Sequence, residues 1–132
     1  MIGLDTNVLV RFITQDDPKQ SAVASAFLER LSADAPGFVT SVVLTEVTWV
    51  LSRAYNASRD ECAGTVERLL RATELVVENS EAAYRALARY RNGTSVDFAD
   101  ALIAETCLLA GVTETVTFDR RAAQEAGIRL LA

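Results

Sequence analysis

The stretch that decides the fold is MIGLDTNVLVRFI, residues 1–13. It begins with a short apolar segment typical of a buried strand and continues into TNVLVRFI, whose apolar spacing predicts a helix. Asp5 stands at the junction, and Thr6 or Asn7 is placed to cap the helix. The same succession of strand and helix recurs along the chain. The sequence therefore predicts an α/β fold with a mainly parallel sheet.

The predicted elements fill the whole chain of 132 residues, with no internal repeat, low-complexity tract or linker. Pro18 opens the second helix, and Ser41, Ser58 and Ser95 are the predicted N-caps of three later helices. The predicted strands are MIGLD, GFVTS, TELVVE, ETVTF and IRLLA. We expect a single domain over residues 1–132, built as three α/β/α layers around about five strands.

Composition excludes several classes of enzyme. The chain has no histidine, which rules out a Ser-His-Asp triad, a Cys-His dyad and histidine-based zinc sites. Lys19 is the only lysine, and no glycine cluster resembles a phosphate-binding loop. Cys62 and Cys107 show no metal-binding spacing, so we expect reduced thiols packed in helices. Carboxylates and hydroxyls are the remaining catalytic groups.

Charge and hydropathy set the expected compartment and partners. The formal net charge is −5, which permits a nucleic acid partner without indicating one, because part of this charge belongs to the candidate site. No apolar stretch is long enough to span a bilayer, and no basic segment precedes the first strand. We therefore expect a cytoplasmic protein without a membrane partner.

Five carboxylates lie in apolar segments, where an ionised group is costly unless a positive partner meets it. Asp5 and Asp119 each follow a predicted strand, and ligands of parallel sheets bind at the carboxyl ends of the strands. Taken alone, each of the two is better explained as a helix cap. Asp97 and Asp100 share one face of a later helix, and Glu46 lies in the helix after the second strand.

The helix around Glu46 has a predicted core stripe of Val43, Val47, Val50, Leu51 and Ala54. Glu46 lies about 80° from the centre of that stripe, so we expect it at the border of the core. Trp49 lies one turn further on. We expect Trp49 in the core, with stacking on a substrate as the alternative.

Clustered carboxylates repel one another and raise their own pKa values, and a divalent cation reverses that effect. Ligation by oxygen alone favours Mg²⁺ or Mn²⁺ over zinc. One or two such ions can activate water without a protein nucleophile. The residues alone thus predict a metal-dependent hydrolase of phosphodiesters, with Asp100 as a ligand and Asp97 as a supporting or second-site acid.

Four motifs carry a family resemblance: DTNVLVRF, LTEVTWVL, DFADALIAE and TVTFDRR. In this order and spacing they resemble PIN-domain ribonucleases, specifically the VapC-type toxins of bacterial toxin–antitoxin pairs, over essentially the whole chain. The resemblance implies an acidic quartet around Mg²⁺ or Mn²⁺ formed by Asp5, Glu46, Asp100 and Asp119. It also matches an extra acid and three short polar residues that could hold the carboxylates or a bound water, namely Asp97, Thr6, Asn7 and Thr117.

The resemblance further implies the strand order 3-2-1-4-5, a homodimer, an RNA substrate and a small cognate antitoxin. Two rival enzymes fit less well: a receiver domain requires an acid pair where Asp5 is followed by Thr6, and a dehalogenase-type phosphatase requires an aspartate where Asn7 stands. A third reading, a non-catalytic PIN-like module that binds RNA or protein, stays open. The complete quartet favours the enzyme.

Overall fold

A computed structural model describes residues 1–132 and divides them into two compact units, Met1–Glu78 and Asn79–Ala132. Seven helices alternate with five short strands, and every strand pair is parallel. These observations confirm the predicted α/β class. The expected single domain over residues 1–132 stays a prediction.

The first unit contains three strands and four helices. The strands form one parallel sheet in the order β1-β2-β3, in which Gly3 is opposite Phe38 and Phe38 is opposite Val76. The elements of this unit, in chain order, are β1 Ile2–Gly3, α1 Thr6–Thr14, α2 Pro18–Glu29, β2 Gly37–Val39, α3 Ser41–Ala54, α4 Arg59–Arg71 and β3 Leu75–Val77.

The second unit contains two strands and three helices. Its strands pair in parallel, with Val116 opposite Arg129 and Thr117 opposite Leu130. The elements, in chain order, are α5 Ser80–Asn92, α6 Phe98–Leu109, β4 Val116–Thr117, α7 Arg120–Glu125 and β5 Arg129–Leu130. The five strands thus form hydrogen-bonded sheets of three and of two, and a single sheet with the order 3-2-1-4-5 stays a prediction.

Three predicted helix caps are wrong by one or two residues. Asp5, and not Thr6 or Asn7, caps α1. Thr40 caps α3 in place of Ser41. The residue at the N-cap position of α6 is Asp97. In the first two cases the cap has extended backbone and an oxygen that accepts a backbone N–H of the first turn, whereas the residue after it is already helical.

The remaining predicted helix starts are correct. Ser58 caps α4 in a capping box with Glu61, in which each side chain accepts a backbone N–H of the other residue. Pro18 is the first residue of α2, where its missing N–H costs nothing.

The core of the first unit is aliphatic and leaves no space at one backbone position. Leu9, Val39, Leu44, Val47 and Val66 are almost completely buried. A Cβ on Gly37 would lie 2.8 Å from Leu4 Cδ1 and 3.0 Å from Leu31 Cδ1, so a larger residue at the start of β2 would displace the ends of these two leucine side chains. Cys62 is buried and Cys107 is half-buried, and both are free thiols, as predicted.

The second unit packs around small residues. A cluster of Val96, Ala104, Ala122, Ala126 and Ile128 forms its centre. Tyr90 and Phe98 meet edge to face, with ring centroids 5.9 Å apart. No helix of the chain is long and apolar enough to cross a membrane.

Glu125 holds the segment that precedes α6. Its Oε1 accepts backbone N–H groups from Thr94, Ser95 and Val96 at 3.1, 3.0 and 2.8 Å, and its Oε2 accepts the Thr94 hydroxyl at 3.1 Å. A Cβ on Gly93 would lie 2.5 Å from Glu125 Oε1, so the carboxylate also uses space that glycine leaves. We call this contact the Glu125 clamp. Ser95, the predicted cap of α6, donates both its N–H and, at 3.4 Å, its hydroxyl to this carboxylate.

The Glu125 clamp makes a prediction about acid stability. The N–H groups of Ser95 and Val96 lower the pKa of Glu125 from 4.5 to about 2. Because the folded pKa lies below the unfolded one, the stabilisation is present above about pH 4.5 and is lost as the pH falls towards 2. We expect the Glu125→Gln variant to be less stable than the wild type at pH 7, and the difference to vanish near pH 2.

Thermal unfolding of both proteins between pH 7 and pH 2 measures this difference. The matched control is Glu81→Gln, which removes an exposed carboxylate of α5 that pairs with Arg85 four residues away and should change stability little. A Glu125→Gln variant that follows the wild-type pH profile would contradict the clamp.

Candidate functional site

Asp5 lies directly after β1 and caps α1. Its Oδ1 accepts the backbone N–H of Thr6 at 2.8 Å, and the residue is exposed. The helix-cap explanation is therefore correct for Asp5. A carboxylate that caps a helix through one oxygen still presents a second oxygen to a ligand.

Glu46 is brought to the same end of α1 by Thr6. The Thr6 hydroxyl donates to Glu46 Oε1 at 2.7 Å, so one threonine contacts Asp5 through its backbone and Glu46 through its side chain. The prediction that Thr6 holds a carboxylate agrees with this contact. Asn7, also predicted to support the site, is exposed and lines a cavity with Leu4 and Val8.

The second unit holds the other three acids. Burial raises the pKa of Asp100 above its ordinary value, and the charges of Asp97 and Asp119 raise it further. Asp97 and Asp119 therefore both lie within electrostatic reach of Asp100. Asp97 occupies the N-cap position of α6, yet its side chain makes no capping hydrogen bond.

The side chain of Asp119 caps α7. Its Oδ1 accepts the N–H groups of Arg121 and Ala122 at 2.8 and 3.3 Å, and these bonds lower the pKa of Asp119. Its own N–H donates to the Thr117 hydroxyl at 3.0 Å, so Thr117 contacts the backbone of Asp119 and not its carboxylate. The cap explanation is correct here too.

Two features of the acids differ from expectation. Asp5, Glu46 and Asp97 are exposed, so the argument that the carboxylates need a positive partner because they are buried applies mainly to Asp100. The second feature is a cation that the sequence argument overlooked: Arg121 Nε lies 3.7 Å from Asp119 Oδ1. It partly offsets the repulsion at Asp100.

The structure also corrects the predicted positions of two side chains on α3. Glu46 was expected at the border of the core and Trp49 within it, but Glu46 is exposed and Trp49 is 61% exposed. The Arg53 guanidinium carbon lies 5.6 Å from the centroid of the Trp49 ring. The reason is that the buried stripe runs through Val43, Leu44, Val47, Thr48 and Leu51.

In neither unit does a group of three or more acidic, cysteine or histidine side chains converge as a ready-made metal site. The donors themselves fit Mg²⁺ or Mn²⁺, because they are all oxygens and Mg²⁺ commonly takes only one or two carboxylates and keeps several waters. Burial and the charges of Asp97 and Asp119 raise the pKa of Asp100, and a bound cation would stabilise its ionised form.

Sequence reasoning missed Glu125 and Arg121. Glu125 fixes residues 94–96, directly before Asp97, through contacts some thirty residues apart in the chain. Nothing in the local sequence AAQEAG separates such a glutamate from a solvated one. Arg121 was visible in the motif TVTFDRR, and its position two residues after Asp119 was the available signal.

Comparison with known proteins identifies the family of the chain. The chain matches the PIN domain over residues 2–127. It is 29% identical over 120 residues to a VapC ribonuclease of Aquifex aeolicus (strain VF5), an alignment that covers 89% of this chain and 87% of that protein. The family match spans nearly the whole chain, and so the chain belongs to the PIN-domain family, as its four motifs predict.

Proposed function

We propose that this protein is a ribonuclease that hydrolyses RNA phosphodiester bonds with Mg²⁺ or Mn²⁺. The observation that carries the proposal is the grouping of Asp97 and Asp119 around the half-buried Asp100, whose pKa is raised by burial and then by these two charges. Support also comes from the PIN-domain match over residues 2–127 and from the similarity to a protein named VapC ribonuclease.

The residues proposed to hold the metal are Asp5, Glu46, Asp100 and Asp119, with Asp97 as an additional acid. When bound, the ion supplies a Lewis acid that makes water nucleophilic at neutral pH. The hydroxyl of Thr6 fixes the rotamer of Glu46. Thr117 and the first turn of α7 fix Asp119. The chain thus orients its oxygen donors in advance, which lowers the cost of organising a charged site.

The first prediction of this proposal concerns the metal. Purified protein should cleave single-stranded RNA in Mg²⁺ or Mn²⁺ and should lose that activity in excess EDTA, because no side chain of this histidine-free chain replaces the activated water. The assay follows the fragments of a labelled RNA, and Asp5→Asn protein purified in parallel reports contaminating nucleases. Undiminished cleavage in EDTA would exclude the metal mechanism. A complete lack of cleavage in either metal would favour the non-catalytic module.

The second prediction ranks the acids. Asp5→Asn and Asp100→Asn should each lower kcat by at least roughly 100-fold, the scale on which loss of one charge-stabilising group slows an enzyme. Asparagine caps a helix as well as aspartate does, so the Asp5 variant keeps its fold. Asp97→Asn should be milder. Asp34→Asn, an exposed loop aspartate, is the matched control and should be silent.

Each outcome of this series has a clear meaning. Near-normal turnover by Asp5→Asn would show that Asp5 caps α1 but has no part in catalysis. A larger loss in Asp97→Asn than in Asp100→Asn would reverse the proposed order within α6. Circular dichroism and thermal unfolding of every variant separate lost chemistry from a lost fold.

We also propose a protein partner: a small antitoxin with a basic, arginine-bearing segment that reaches the acids and an apolar helix that packs on the first unit. Two apolar cavities of the first unit suit such a helix. One, of about 690 Å³, is lined by apolar residues that include Val8, Val23 and Phe27. The other, of about 280 Å³, is lined by Phe12, Ile13 and Leu28 among others. A long apolar groove is the usual docking site of an amphipathic helix.

The third prediction concerns this partner. A small protein encoded beside this chain should co-purify with it after co-expression and should inhibit its RNase activity. Replacing the basic segment of the partner with alanines should relieve inhibition and weaken binding in a salt-dependent way. Val23→Glu, which places a charge at an exposed apolar position of the larger cavity, should also weaken binding. A neighbour that neither co-purifies nor inhibits would leave a stand-alone nuclease.

A further inference from the structure

We propose that Trp49 and Arg53, on the exposed face of α3, form a stacking platform for an unpaired base of RNA beside Glu46. The inference rests on the proposed ribonuclease function and names the residues that bind the substrate strand next to the acids. We call these two residues the Trp49–Arg53 platform.

Helix geometry places the platform on the same face as Glu46. Within α3, Glu46, Trp49 and Arg53 follow at spacings of three and four residues, so their side chains fall within an arc of about 60°. Along the helix axis, Arg53 lies about 10 Å beyond Glu46. A strand whose phosphate lies at Glu46 therefore passes Trp49 within one turn of the helix.

The exposure of Trp49 needs an explanation. Tryptophan is usually well buried, yet 61% of this side chain is open to solvent. Arg53 lies over the ring at 5.6 Å from its centroid, within cation–π range. An aromatic face together with a guanidinium is the combination that stacks unpaired bases and tracks the phosphate backbone without reading a sequence.

The charges around Trp49 favour RNA over a protein as the occupant. The core of a protein interface is depleted of charged side chains, whereas Glu46 and Arg53 stand on the two sides of Trp49 along α3. Arg53 is complementary to phosphate. Glu46, which is bound to the Thr6 hydroxyl, is itself one of the proposed metal-binding acids.

The test uses the fact that Trp49 is the only tryptophan in the chain. Single-stranded RNA titrated into the Asp5→Asn protein should quench the tryptophan fluorescence, and duplex RNA should quench it less. In otherwise wild-type protein, Trp49→Ala should raise KM and the Kd for single-stranded RNA roughly 5- to 150-fold, with little change in kcat. Trp49→Phe should restore most of the affinity.

Two arginine variants test the second half of the platform. Arg53→Ala should reduce the slope of log Kd against log salt concentration by about 0.7, the value for one phosphate contact on a single strand. Arg71→Ala, which removes an exposed arginine of α4 that pairs with Glu67, is the matched control and should leave the slope unchanged.

The outcomes separate this inference from the proposed function. Metal-dependent cleavage with unchanged KM in Trp49→Ala, and no quenching by RNA, would overturn the platform and leave the nuclease standing. RNA binding that quenches Trp49 without any cleavage would support the platform and overturn the nuclease. A change of oligomeric state in Trp49→Ala with unaltered RNA affinity would overturn the platform and assign this face of α3 to a protein contact.

Discussion

Carboxylates at helix N-termini are the constraint on which the candidate site depends. Asp5, Asp97 and Asp119 occupy the N-cap positions of α1, α6 and α7. For Asp5 and Asp119 the first-turn N–H groups of the helix bind one oxygen, so the backbone itself offsets part of the charge. A short strand that runs directly into a helix thus fixes both the fold and the direction of an acid. Asp97 makes no such hydrogen bond, and its charge adds to the repulsion at Asp100.

Cap and ligand are therefore compatible roles in this chain. Asp5 and Asp119 can fill both roles at once, because a carboxylate has two oxygens and about four lone-pair directions. Glu125, which sequence reasoning missed, has the same chemistry in another place: it accepts three consecutive N–H groups before α6. That contact fixes the three residues that directly precede Asp97.

The alternation of strands and helices could be predicted from the sequence, because it depends on local pattern, whereas the role of the five acids as metal ligands stays a prediction. The face of α3 that is buried could not be predicted in this way. Burial of Leu44 and Thr48, in place of Val50 and Ala54, turns the core stripe by about 50° away from Glu46. Trp49 lies about 145° from the centre of the predicted stripe and about 170° from the centre of the observed one, so it faces away from the core in both. Threonine counts as a polar residue when a hydrophobic period is read from the sequence. Thr48 is nevertheless buried, and its hydroxyl donates to the Thr45 carbonyl at 2.7 Å.

The central claim is that these acids hold a divalent cation, and thermal unfolding during a Mn²⁺ titration tests it most directly. A ligand that binds only the folded state stabilises it by about 2.7 kcal/mol at 100 times its Kd. The account predicts that Mn²⁺ raises the Tm of the wild type. Without metal, Asp100→Asn should be slightly more stable than the wild type at pH 7, because the raised pKa of Asp100 means that its ionised form is unfavourable in the folded state. The Tm of this variant should rise little with Mn²⁺. A wild-type Tm that does not change with Mn²⁺, or an equal rise of the Tm in Asp100→Asn, would contradict the claim that these acids hold a cation.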